Sequence, residues 1–240
     1  MNHPFSHHRI ESRILLAFVG LLVIIFTFAK AAAEVSEGDT LVVDRFLLMA
    51  LRTPGNPALP IGPRWLTESL IDVTALGGVT VLTLITCLAT GYLVAARKPA
   101  IAAFTATAVG TGAVMGTLLK AFYERARPDI VEHLVGTHSA SFPSGHAMNS
   151  AIVYLTLAVL VARSSESRSV RRYLILVAIL LTLAVGFSRV YLGVHWPTDV
   201  VAGWTVGGVW AILSSLVAKR LQAQYKVEKP GQAPRNEGQA

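Results

Sequence analysis

The sequence predicts an all-α, polytopic membrane protein with about six transmembrane helices in a bundle and an interfacial helix in the first outer loop. Three observations predict it. Mean hydropathy is +0.55, and charged residues make up only 15% of the 240, where a soluble domain of that length carries roughly a quarter. Several apolar runs reach the ~18–20 residues that a helix needs to cross a bilayer. Basic residues gather in the connections expected on one side of those runs.

The first apolar run is about Ile14 to Ala33, preceded by Arg9 and Arg13. It is long enough to span. Ala29-Lys30-Ala31 also offers a small-x-small cleavage pattern, so a signal peptide is the alternative. Residues 36–68 form a polar connection containing Pro and Gly. Within it, Leu41 to Arg52 is mostly apolar but too short to span, which points to an interfacial helix. Pro54, Pro57, Pro60 and Pro63 break it.

The second run, Leu70 to Ala95, ends at Arg97-Lys98-Pro99; the third, Ile101 to Leu119, ends at Lys120. A polar loop covers 121–143. The fourth run is Ala147 to Ala162, followed by a loop with Arg163, Arg168, Arg171 and Arg172. The fifth is Tyr173 to Phe187 and the sixth Pro197 to Ala218. Residues 1–218 are thus one membrane-embedded domain, and 219–240 a polar, disordered cytoplasmic tail.

With the N-terminus in the cytoplasm, thirteen of the 21 Lys and Arg fall inside. That bias orients the helices, so the net charge of +7 is not read as nucleic-acid binding. It also puts three polar motifs on the outer face. The expected location is the plasma or inner membrane, with both termini cytoplasmic. The single cysteine, Cys87, excludes an intramolecular disulfide and a cysteine metal site. It reads as a small buried core residue.

The motifs are KAFYERARP (120–128), SFPSGH (141–146) and SRVYLGVHWPTD (188–199). Lys120, Arg127 and Arg189 are fixed cations suited to phosphate oxygens. Ser144 precedes an apolar run as an N-cap, so the amides near Ser144 and Gly145 favour an anion. Pro197 suits a first helical turn. The four-residue spacing lets Asp199 reach the His195 ring, fixing its tautomer and freeing the other nitrogen to attack. His146 is the candidate general acid. Three cations repel a divalent metal, so His146, His195 and Asp199 are not read as metal ligands.

These motifs resemble the type 2 phosphatidate phosphatase family, which also holds bacterial undecaprenyl-diphosphate phosphatases and vanadium haloperoxidases. The matching positions are Lys120-x6-Arg127-Pro128, Pro143-Ser144-Gly145-His146 and Ser188-Arg189-x5-His195-x3-Asp199. The resemblance implies a membrane lipid phosphatase or diphosphatase. His195 would form a phosphohistidine, Asp199 would assist it, and His146 would protonate the leaving group. Lys120, Arg127, Ser144, Gly145 and Arg189 would cradle the phosphate, with no cofactor and no metal.

The substrate would be a lipid phosphate drawn from the bilayer: a polyprenyl diphosphate first, then phosphatidate or phosphatidylglycerol phosphate. The alternatives are a lipid phosphotransferase and a non-enzymatic lipid-phosphate binder or transporter. Arg125, Glu124, His133 and His138 read as ordinary loop residues. The pairs Gly112/Gly116 and Gly203/Gly207 read as intramolecular packing sites, with a homodimer face as the alternative. Trp65 and Trp196 suit the interface level, and Trp204 and Trp210 suit packing against helices or lipid.

Overall fold

The computed structural model describes residues 41–137, 139–164 and 167–224. The first apolar run, His138 and the tail beyond 224 lie outside the described residues.

Helix α1 (Leu41–Met49) comes first. Asp44 and Leu48, one turn apart, are fully buried, while Val42, Val43, Phe46, Leu47 and Met49 are exposed. The helix stops short of the expected Arg52. A hairpin follows instead, β1 (Arg52–Thr53) against β2 (Asn56–Pro60), antiparallel. Gly55 turns it at φ +80°, a conformation that glycine adopts freely. Arg52 is drawn inward because its Nη1 donates to the Tyr191 carbonyl at 2.9 Å.

The expected second span is two helices, α2 (Arg64–Ala75) and α3 (Val79–Ala95), bent by 49°. The break falls at Gly77 and Gly78. Gly77 packs so closely that a Cβ there would stand 2.3 Å from Val185 Cγ1 and 3.2 Å from His146 Cβ. Tyr154 hydroxyl donates to the Leu76 carbonyl at 2.7 Å, satisfying a group that the break sets free.

Helix α4 (Pro99–Tyr123) opens with Pro99 in its first turn and ends on Glu124 in a left-handed conformation. Helix α5 covers 145–164, with a π turn at Ala151–Leu155 between two α segments. Helices α6 (Arg168–Tyr191) and α7 (Pro197–Ala223) complete the bundle. Both run beyond the expected limits, so Ser188 and Arg189 sit in the last turns of α6 and not after it.

Among the described residues, α4, α6 and α7 are long and apolar enough to cross a membrane, and the bent α2–α3 pair makes a fourth span if taken as one. The expected fourth run falls in α5, whose apolar stretch Gly145–Leu160 is shorter. The reason is its position. Ala147, Met148, Ala151, Ile152 and Val153 are all buried, so α5 is wrapped by protein, and the bilayer does not set its length. Gly112 and Gly116 on α4, and Gly203 and Gly207 on α7, all face α5. The glycine pairs therefore pack within the chain.

The outer helices carry exposed apolar stripes: Leu84, Leu88 and Tyr92 on α3, Val114, Leu118 and Phe122 on α4, and Leu176, Leu180, Leu183 and Phe187 on α6. Such surface suits lipid and not water. Cys87 shares this face and is exposed, contrary to the buried position expected of it. Trp196 is also corrected. It is 4% exposed and its Nε1 donates to the Ala126 carbonyl, so it is a core residue beneath the site. Trp204 and Trp210 pack as expected, donating to the carbonyls of Thr182 and Ala108.

Candidate active site

The polar motifs meet at one end of the bundle. Lys120 lies in the last turn of α4, Arg189 in that of α6, Gly145 and His146 in the first turn of α5, and Asp199 in the first turn of α7. Arg127 and His195 come from the loops between helices. The far end is an apolar plug of Ile101, Leu160 and Ala218.

Asp199 is the most connected group. It is fully buried at the third position of α7. Its Oδ2 accepts from the Trp196 amide at 3.0 Å, which caps the helix, and from Ser141 Oγ at 2.5 Å. The same oxygen lies 3.4 Å from His195 Nδ1. That contact is long, as catalytic hydrogen bonds often are without substrate. Oδ1 accepts from Arg125 Nη1 at 2.6 Å.

His195 is 1% exposed, and its Nε2 faces Arg127 Nη1 at 3.3 Å. Nδ1 therefore looks toward the carboxylate and Nε2 toward a cation. Burial pushes the imidazole pKa down to about 4; the Asp199 hydrogen bond and charge oppose this, and Arg127 and Arg189 add to it. His195 is thus neutral at physiological pH. Burial also holds the Arg127 guanidinium below its usual range, and Asp199 opposes it.

The cations are held by neutral groups. Arg127 donates from Nε to the Ser139 carbonyl at 2.8 Å and from Nη1 to the Val194 carbonyl at 2.5 Å. Lys120 Nζ donates to the Ala140 carbonyl at 2.7 Å. Arg189 Nη1 donates to Thr74 Oγ1 at 3.1 Å, and its buried Nε has no partner among the described residues. Their charge is aimed and not neutralised in place. Arg189, Lys120 and Arg127 all act electrostatically on His146. Gly145 lets Lys120 close in, since a Cβ there would be 3.2 Å from Lys120 Cε. Ser144 sits at the N-cap as expected, but its hydroxyl does not cap the helix. Its Oγ is buried without a partner among the described residues. A buried hydroxyl and a buried guanidinium nitrogen left over beside several cations suit an anion's oxygens.

All eight candidate residues lie at this end of the bundle. The sequence reading missed Arg125, Asp44, Ser141 and Thr198. Arg125 is not an ordinary loop residue: its side chain is 8% exposed and joins Asp44 to Asp199. The one available signal was Asp44, a charge inside an apolar helical stretch, which is costly unless paired. Among the described residues no cluster of three His, Cys, Asp or Glu side chains could hold a metal ion.

The cation-lined site at one end of a membrane-spanning bundle suits phosphate chemistry, and the chain's similarity to membrane lipid phosphatases makes it a hydrolase of that class. The model of the PAP2 superfamily matches residues 81–223, and the chain belongs to that superfamily. It is 36% identical to phosphatidylglycerophosphatase B of Bacillus subtilis over 152 residues, 62% of this chain and 74% of that protein. It is 39% identical to an undecaprenyl-diphosphatase of Sulfolobus acidocaldarius over 74 residues, 31% of this chain and 32% of that one. The crystal structure of a transmembrane PAP2-type phosphatidylglycerolphosphate phosphatase from Bacillus subtilis superposes with a TM-score of 0.76 at 28% identity, covering 84% of this chain and 96% of that one.

Proposed function

We propose that this chain removes a terminal phosphate from a membrane lipid through a phosphohistidine on His195. The observation that carries the reading is the orientation of that ring: Nδ1 faces Asp199 Oδ2 at 3.4 Å, while Nε2 faces Arg127 at 3.3 Å, where a phosphate would sit. Nε2 attacks phosphorus, and the bond from phosphorus to the lipid oxygen breaks. His146 gives that oxygen its proton. Bound phosphate balances the cations around His146, so its imidazolium form belongs to the substrate complex. Water then attacks phosphohistidine, returns a proton to His146, and inorganic phosphate leaves. Lys120, Arg127, Arg189, Ser144 Oγ and the Gly145 amide hold the equatorial oxygens throughout, where transition-state charge develops.

The first substrate to test is phosphatidylglycerol phosphate, ahead of the polyprenyl diphosphate that the sequence suggested. The relative matched over most of its length carries the former name, and the one matched over a third carries the latter. The basic-residue bias supports an outward-facing site and cytoplasmic termini. The six-span count takes in α5 and the run at 14–33. The exposed apolar side chains of α1 favour a place in the membrane interface.

The test uses full-length protein in detergent with a chelator. Phosphatidylglycerol phosphate, a polyprenyl diphosphate and phosphatidate are offered in turn, with inorganic phosphate measured. Release in EDTA, inhibited by vanadate and abolished by His195→Ala, is the expected result. Label passing to a second lipid without phosphate release would make the chain a phosphotransferase. Activity lost in EDTA and restored by a divalent ion would overturn the metal-free cradle.

A further inference from the structure

Arg125 reaches Asp199 from the side of the carboxylate away from the oxygen that meets His195. Its Nη1 donates to Asp199 Oδ1 at 2.6 Å and to Thr198 Oγ1 at 2.9 Å. Its Nη2 donates to Asp44 Oδ2 at 2.8 Å. Its guanidinium also rests 5.6 Å from the Trp196 ring centre. Asp44 in turn accepts from the Thr198 amide at 2.9 Å and from Thr198 Oγ1 at 2.7 Å. The side chains of Asp44 and Asp199 are both fully buried.

We propose that Arg125, seated by Asp44, is a positioning residue for the reaction: it locks the Asp199 carboxylate so that Oδ2 stays turned to His195. This rests on the phosphohistidine reading. A carboxylate rotates about its last bond unless both oxygens are held. Ser141 and the Trp196 amide hold Oδ2, and Arg125 holds Oδ1. The rigid guanidinium fork suits the task, because one nitrogen takes each acid. An ammonium could not span both with the same geometry. Asp44 also balances charge. Arg125 lies between two carboxylates, so the trio carries one net negative charge. That charge can support the imidazolium-like ring when His195 is phosphorylated. Through Asp44 the trio ties α1 to the first turn of α7, so the position of α1 bears on the catalytic pair.

The role differs from that of the cradle in what it moves. Arg125 meets Asp199, whose Oδ2 faces His195 Nδ1, while Arg127 faces Nε2, so loss of Arg125 should act on turnover and not on phosphate affinity. In the full-length enzyme Arg125→Met should lower kcat about 10–100-fold, by analogy with the partners that orient metal-bound side chains. KM and the vanadate inhibition constant should stay within about 3-fold. Arg125→Lys should recover part of kcat, and Asp44→Asn should fall between Arg125→Lys and Arg125→Met.

The deciding measurement is a cycle with Asp199→Asn. Arg125→Met should have little further effect in that background, because the carboxylate it orients is gone. His195→Ala is the control for the reading beneath: activity surviving there would sink the phosphohistidine itself. With His195→Ala inactive, normal kcat in Arg125→Met would overturn the positioning role. So would losses of Arg125→Met and Asp199→Asn that multiply. A rise in the vanadate constant in step with Arg127→Ala would make Arg125 a phosphate ligand instead. If Arg125→Met does not fold, Arg125→Lys and Asp44→Asn carry the same cycle.

Discussion

Gly203 sets the distance between α5 and α7, and the substitution Gly203→Ala tests whether that spacing holds the active site together. A Cβ there would stand 2.7 Å from the Ser144 carbonyl oxygen, 3.1 Å from Ala147 Cβ and 3.1 Å from the Met148 amide nitrogen. Two of these are backbone atoms of a buried helix start and cannot swing away. Relief from 2.7 Å to an ordinary 3.4 Å needs a shift of ~0.7 Å. The Ser144 amide donates to the Asp199 carbonyl at 3.0 Å, so the shift strains the link between the two halves of the site. Overpacking of this kind costs about 1–3 kcal/mol. At ~2–4 °C per kcal/mol for a chain of this size, melting should fall by about 2–12 °C.

The activity loss should be disproportionate. Ser144, Gly145 and His146 start α5, and the shift carries them away from His195. Misplacement by ~1 Å costs on the order of 10²-fold, so kcat should drop on the order of 10-fold. Gly208→Ala is the control, because nothing lies within 4 Å of its Cβ position. That variant gains helix propensity, up to ~1 kcal/mol, and should melt at or above the parent temperature with full activity. Gly207→Ala would meet Ala151 Cβ and the Met148 carbonyl at 2.6 Å, one turn deeper. It should lose similar stability but less rate. Melting in detergent and phosphate release, measured side by side, decide the matter. Gly203→Ala behaving like Gly208→Ala would refute the argument.

Arg127→Ala should lower turnover on the order of 10²–10³-fold, as loss of a donor to transition-state charge does, and Arg127→Lys should recover only part because the fork is gone. Near-normal turnover would reduce Arg127 to a loop staple for Ser139 and Val194. The His195 pKa of about 4 keeps the nucleophile neutral as pH falls, so its acid limb in kcat/KM should lie near 4, after correction for substrate ionisation. Arg127→Met removes one cation that depresses that pKa, so the limb should move up; a fixed limb near 6.5 in both proteins would count against the burial argument. A cysteine at Ser139 in a Cys87→Ser background should react with an impermeant thiol reagent on intact cells, and one at Ser167 should not. The reverse labelling would turn the site to the cytoplasm.

The sequence revealed those residues whose role depends on local spacing, and hid those whose role depends on a distant partner. His195 and Asp199 are four apart, Pro197 fixes the helix start between them, and Gly145 and His146 follow an N-cap. Local geometry carries these over into three dimensions with little loss. The kink at Gly77 was hidden because an apolar run reads the same straight or bent; the close approach of Val185 and His146 that requires a glycine there is visible only in the packing. Cys87 was misread for a related reason. In a bilayer both the core and the lipid face are apolar, so hydropathy does not separate them. Arg125 was hidden most completely, because its partners lie 81 and 74 residues away. Yet Asp44 left a trace: an acid in a nine-residue apolar helix costs free energy unless a cation meets it. On α1 that charge is buried against a basic group from elsewhere in the chain. In this fold that group is the one holding the carboxylate behind His195.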